Sequence, residues 1–243
     1  MRIHFIGTGD AFCSGGSNQT CFYVTAEEYR FLIDCGATSL KALSEHQIST
    51  NEIDGIIISH FHGDHYGGLP YILLEAHFIK ARTTPLTIIG PPEVAERVTA
   101  LSDIAYPGVD ISKFSYRLEF KEFSEGALTM GPLEVQSFPV IHAAEANPYG
   151  VRVQYKEKVL AFSGDSGWTE NLYHIERDAD LFICECNYFD TEMPYHLSYK
   201  KIKEVLPNFS CKEVILNHLG PEMLKNRSRC ELPTAHDGLI INI

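Results

Sequence analysis

Three histidines and an aspartate fall within "SHFHGDH", residues 59–65, directly after the apolar run "GIIIS". His60 and His62 are two positions apart, so in extended chain their side chains leave on the same face. Asp64 and His65 follow Gly63, where a bend towards a following helix would turn them back onto the same point. Neutral imidazoles with a carboxylate suit zinc, manganese or iron(II) better than calcium or magnesium. One such residue would read as a solvated loop position. This many at the end of a core strand point to a metal site, because strand ends in α/β sheets are where sites gather. A single cation needs only three or four protein ligands, and further candidates lie downstream. His142 follows "LEVQSFPV", Asp165 ends "VLAFSGD" and His218 ends "EVILNH". Singly each would be a turn or cap residue. Together they repeat one pattern, apolar strand then polar terminal residue, and suggest a second metal.

The elements that must position these residues are legible in outline. Apolar runs of strand length recur from "RIHFIG" to "GLIINI", most of them bounded by turn residues. Helical spacing covers 66–80, where Pro70 restricts the start, and "PPEVAERVTALSDIA", which opens on prolines suited to a helix N-terminus. A third helix is expected in "LSYKKIKEVLP", with Ser198 as N-cap and Pro207 as the stop. Many strands and fewer helices predict a mixed α/β fold. No repeat or linker interrupts the chain, so one domain over 1–243 is expected. The stretch 106–120 carries the least pattern and reads as a surface excursion.

Charge narrows the partners. The chain has 20 Lys and Arg against 32 Asp and Glu, a net charge of -12. Proteins that grip nucleic acid replace phosphate counterions with basic side chains, so an extended nucleic acid is not the expected partner. No stretch has the length of an apolar membrane span, and the first residues lack a signal-peptide pattern; a cytoplasmic location is expected. The seven cysteines then read as reduced thiols, with Cys184 and Cys186 as small buried residues on one strand face.

The ordered set H-x-H-x-D-H, single His, "SGD" and late His resembles the metallo-β-lactamase superfamily of binuclear hydrolases. The resemblance runs from "GTGD" at 7–10 to "NHLG" at 217–220. It implies an αββα four-layer sandwich with the site along one edge. It also implies that His60, His62 and His142 hold one divalent transition metal, and Asp64, His65 and His218 a second, with Asp165 bridging. Zinc is the expected metal, with manganese or iron as alternatives. Aspartate at the bridging place departs from true β-lactamases, which resemble this set but carry Cys or Ser there. "CECNYFD", with Glu185, and "PYHLSYKKI", with His196, are similar to the ribonuclease Z branch. There the resemblance makes His196 a proton donor oriented by Glu185, with Asp64 as a further catalytic residue; a helix-entry cap is the other role open to His196. "FIGTGDAFCSGG" resembles the family's glycine-rich opening and lacks the third glycine of a dinucleotide fingerprint, so a tight turn is expected, with Asp10 and "SGG" as loop residues or, alternatively, as lining of a substrate pocket. Asp34 in "FLIDCG" resembles a strand-end aspartate that holds a ligand imidazole.

The resemblance also separates branches. Ribonucleases of this group carry a tRNA-gripping arm between the single His and the bridging Asp, whereas 143–164 here leave room for two short strands and a turn. The phosphonate-pathway cyclic phosphodiesterases resemble this arrangement in lacking the arm. The expectation is a phosphodiesterase that uses metal-bound hydroxide on a small or nucleotide-derived phosphodiester. tRNA 3′ processing and lactone hydrolysis are the enzymatic alternatives, and a metal-bound scaffold the non-enzymatic one. A thioesterase of the glyoxalase II kind would need a helical domain after His218, for which the remaining residues are too few. Homodimers occur in the resembled branch.

Overall fold

The computed structural model describes residues 1–243. Its strands are β1 (Arg2–Gly7), β2 (Cys21–Ala26), β3 (Tyr29–Ile33), β4 (Gly55–Ile57), β5 (Leu86–Gly90), β6 (Leu118–Glu122), β7 (Ala127–Met130), β8 (Leu133–Pro139), β9 (Tyr149–Tyr155), β10 (Lys158–Phe162), β11 (Leu181–Glu185), β12 (Val214–Asn217) and β13 (Ile240–Asn242). Its α-helices are α1 (Ser39–Glu45), α2 (Gly63–Tyr66), α3 (Leu69–Leu74), α4 (Val94–Ala105), α5 (Asn171–Glu176), α6 (Tyr199–Val205) and α7 (Pro221–Asn226). The strands form a seven-stranded sheet, β13-β1-β2-β3-β4-β5-β6, and a six-stranded sheet, β12-β11-β10-β9-β8-β7.

Period-two alternation builds the layers. On β1, β2, β3 and β11 the residues Ile3, Phe5, Phe22, Val24, Phe31, Ile33, Leu181 and Ile183 face a core shared by the two sheets. Their neighbours Ile6, Tyr23 and Leu32 turn outward beneath Leu43, Leu69, Leu73 and Val98 from α1, α3 and α4. Phe182 and Cys184 turn outward beneath Leu172, Ile175 and Ile202 from α5 and α6. Strands apolar on both faces must be covered on both faces, and the expected αββα sandwich follows. Each of these side chains contributes about 1.5–3 kcal/mol by leaving water. Phe22 joins the sheets, edge-on to Phe5 at 5.1 Å and to Phe162 at 5.2 Å.

Parallel pairing sets the active edge. β3, β4, β5 and β6 run parallel in one sheet, and β10, β11 and β12 in the other. The carboxyl ends of β3, β4, β10, β11 and β12 release Asp34, "SHFHGDH", Asp165, Glu185 and His218. Close backbone approach makes this possible: a Cβ on Gly164, at φ 61°, would lie 2.5 Å from the Tyr149 carbonyl oxygen.

The helix expected over 66–80 is broken into α2, α3 and a π-turn over Glu75–Ile79. At the break, Gly68 backs onto the Gly36 carbonyl, where a side chain would sit at 2.3 Å. The stretch 106–120 is less peripheral than expected, because Ile111 and Tyr116 are buried and its last residues enter edge strand β6. Ser198 caps α6 as expected, its Oγ accepting from the Lys201 N–H at 3.1 Å. No helix is long and apolar enough to cross a membrane.

Candidate metal centre

Asp34 anchors the first motif. It sits at the end of β3 in left-handed backbone, φ 58°, and is fully buried. Its carboxylate accepts from the Ser59 N–H at 2.7 Å, from the Ser59 hydroxyl at 2.7 Å and from His65 Nδ1 at 2.6 Å. With the His65 proton fixed on Nδ1, the Nε2 lone pair faces inward. That atom lies 3.3 Å from Asp64 Oδ2 and 3.3 Å from Asp165 Oδ2. His218, also in left-handed backbone, brings its Nε2 to 3.2 Å from the same two oxygens.

A second group adjoins the first. The ring nitrogens of His60, His62 and His142 converge within 4.8 Å of one another, as do the donor atoms of Asp64, His65, Asp165 and His218. His142 donates from Nδ1 to the Tyr195 carbonyl at 2.9 Å, leaving Nε2 as the lone pair, 3.0 Å from His62 Nδ1. Burial holds His60, His62 and His142 below the ordinary imidazole range, so they present the neutral form that a cation requires. In the other group burial alone would lower His65 and His218 and raise Asp64 and Asp165, but the facing charges outweigh it. Asp165 and Asp64 raise His65 and His218 above the ordinary imidazole range, and these protonated rings hold the two carboxyls below theirs; a bound cation would take the place of those protons.

The residues fit a cation by a stricter criterion. His60 Nε2, His65 Nε2 and Asp165 Oδ1 are buried and have no hydrogen-bond partner. An unsatisfied buried polar atom costs about 1–3 kcal/mol, and one of these belongs to the His60 group and two to the His65 group. Divalent cations held by the two groups would satisfy them.

Glu185 and His196 complete the edge. Glu185 is fully buried at the end of β11, and its Oε1 accepts from the Ser166 N–H at 2.9 Å and from His196 Nδ1 at 2.9 Å. Burial would lower His196, but the Glu185 hydrogen bond and charge outweigh it and raise the imidazole to about 9. Because Ser198 supplies the cap of α6, His196 is not needed there. All the sequence-predicted residues therefore gather at one edge, and His62, Asp64, His142, Asp165, His196 and His218 line a common cleft of ≈ 400 Å³. A larger groove, ≈ 720 Å³, lies over α4 and has no histidine or cysteine in its wall.

Three contributors were not legible in the sequence. Asn187, inside "CECNYFD" but not singled out there, places Nδ2 3.3 Å from the His218 carbonyl. Asp237, far along the chain, accepts from Thr8 N–H at 3.0 Å, Thr8 Oγ at 2.7 Å, Asn18 N–H at 2.7 Å and Asn18 Nδ2 at 3.0 Å. The Thr8 carbonyl in turn accepts from the His218 N–H at 3.1 Å. Phe12 lines the cleft mouth, and Asp10, as expected of a loop residue, folds the turn beneath it.

Comparison with known proteins bears on the fold and the family. The chain is 32% identical over 159 residues to a ribonuclease Z of Methanococcus maripaludis (strain C6), covering 65% of this chain and 51% of that protein. It thus spans about half the length of that relative. It is 25% identical over 233 residues to the anti-Pycsar protein Apyc1 of Bacillus phage BSP38, covering 91% of this chain and 90% of that one. The metallo-β-lactamase fold protein YhfI from Bacillus subtilis superposes with a TM-score of 0.80 at 20% identity, over 99% of this chain and 98% of that one. The likeness carries the fold, and the expected metallo-β-lactamase architecture is the one observed. A sequence profile of the anti-Pycsar protein Apyc1 matches residues 1–235, and the chain belongs to that family.

Proposed function

We propose that this protein is a two-metal phosphodiesterase acting on a small, nucleotide-derived phosphodiester. The observation that carries the reading is the pair of adjoining donor clusters with buried, unpartnered ligand atoms at their junction. His60, His62 and His142 would hold one cation, Asp64, His65 and His218 the other, and Asp165 would serve both. The imidazole and carboxylate donors suit zinc, with manganese or iron as alternatives. Bound there, two divalent cations polarise a phosphoryl oxygen and acidify water. The chain supplies the rest. Glu185 holds Nδ1 of His196, so Nε2 is the free nitrogen of a ring that lines the cleft, placed to give a proton to the leaving oxygen.

Two features support a small substrate over tRNA. Between His142 and Asp165 the chain forms only a short turn and the β9–β10 hairpin, with no projecting arm. No Lys or Arg lines the cleft, and the net charge is -12. The names of the phage relative and of the ribonuclease Z relative are both consistent with phosphodiester chemistry on nucleotides.

The test pairs metal analysis with a substrate panel. We expect close to two transition-metal ions per chain. We expect hydrolysis of an artificial phosphodiester and of cyclic nucleotides, in preference to precursor tRNA, a lactone or a thioester. Activity on the lactone alone would overturn the branch, and bound metal with no hydrolysis at all would favour a scaffold.

A further inference from the structure

Phe12 is 88% exposed, more than any other large apolar side chain in the protein. An exposed ring on a mobile loop would mean little, but this loop is clamped on both sides. The Asp10 carboxylate accepts from the Phe12 N–H at 3.2 Å, from the Ser14 N–H at 2.8 Å and from the Ser14 hydroxyl at 2.7 Å. The Ala11 carbonyl accepts from Gln19 Nε2 at 3.1 Å, and Gln19 Oε1 is itself fixed by the Ala37 N–H at 2.8 Å. Beyond it, Cys13, Gly15 and Gly16 turn through left-handed backbone, and Gly15 packs directly against Leu224 of α7. The fold therefore holds an apolar ring in water at the lip of the cleft that contains the metal-ligand candidates.

The rest of the cleft wall says what that ring meets. Carboxylates and imidazoles line the cleft together with Ala11, Phe12, Tyr188 and Pro221. With no Lys or Arg in the wall, the part of a substrate beyond the phosphate meets Asp10, Asn187 and the Tyr188 hydroxyl for hydrogen bonding and Phe12 for stacking. We propose that Phe12 is the stacking surface for the heterocyclic base of the substrate, and so sets the preference for base-bearing over base-free phosphodiesters. The inference rests on the phosphodiesterase reading and extends it to a substrate class. A stacked ring tolerates every base, because each has a π-face, so selectivity among bases is not expected from this residue.

The test compares a nucleoside 3′,5′-cyclic monophosphate with the corresponding 1-O-methyl ribose cyclic phosphate, which lacks the base. The metal-loaded wild type, Phe12→Ala and Phe12→Tyr are compared. Stacking on an aromatic side chain is worth roughly 5- to 150-fold per base. The ratio of kcat/KM between the two substrates should fall by about that factor in Phe12→Ala, mainly through KM, and be restored in Phe12→Tyr. An unchanged ratio, or equal loss on both substrates, overturns the assignment. Calorimetric binding of a nucleoside 5′-monophosphate against ribose 5-phosphate gives a readout independent of turnover. If the wild type hydrolyses neither cyclic compound nor an artificial phosphodiester, the phosphodiesterase reading fails. The stacking role then stands or falls on whether Phe12→Ala selectively weakens the base-bearing ligand.

Discussion

Replacing Asp34 by Asn should disable one metal position without touching a single ligand. The carboxylate accepts three hydrogen bonds, from the Ser59 N–H and hydroxyl and from His65 Nδ1, at 2.7, 2.7 and 2.6 Å. An amide is nearly isosteric but accepts on one side only. If its oxygen keeps the Ser59 N–H, its NH2 group faces His65 Nδ1. Two donors cannot share that bond, so the His65 proton moves to Nε2. Nε2 is the atom that lies between Asp64 and Asp165, and once protonated it has no lone pair for a cation. Loss of such an anchoring partner lowers metal affinity by about 10- to 100-fold, or roughly 1.4–2.8 kcal/mol. The hydrogen bonds lost inside the core add a destabilisation of about 1–3 kcal/mol. The assay is zinc retained per chain after dialysis against graded chelator, with urea unfolding in parallel. Wild type should release two ions at similar chelator strength, and Asp34→Asn should lose one of them well before the other. Retention of both ions with unchanged affinity in a folded variant would refute the tautomer argument and leave Asp34 a packing residue.

Three further outcomes are expected. His196→Ala should keep its metal content and lose about 100-fold or more in turnover on an alkyl phosphodiester, but far less on a p-nitrophenyl ester, whose leaving group needs no proton; equal losses on both would remove the general-acid role. Asp237→Asn should reduce unfolding free energy by about 2 kcal/mol in urea titration, because a carboxylate that accepts from both Thr8 and Asn18 is replaced by a group that accepts on one side. A stability equal to wild type would show that the glycine loop does not depend on this contact. Burial, with help from His46 and Arg2, lowers His4 from 6.5 to about 4. Its contribution to stability is complete above pH 6.5 and is lost as pH falls towards 4. His4→Phe should flatten that part of the stability profile, and identical profiles would rule His4 out as its cause.

The sequence by itself showed the candidate donors and a mixed α/β fold, and the family resemblance supplied the four-layer plan. Metal ligation needs particular side chains at the ends of core strands, and "SHFHGDH", His142, Asp165 and His218 are visible as apolar run followed by polar terminus. The short helices α1, α5 and α7 span too few turns for a 3.6-residue period to show. Tertiary structure decided how these donors are brought within reach of one another. Asp34 meets His65 across 31 residues and Asp237 meets Thr8 across 229, contacts fixed by sheet pairing and not by local pattern. It also decided that Phe12 stands in water at the cleft mouth, because exposure depends on where Asp10, Gln19 and Leu224 clamp the loop, and no periodicity encodes that.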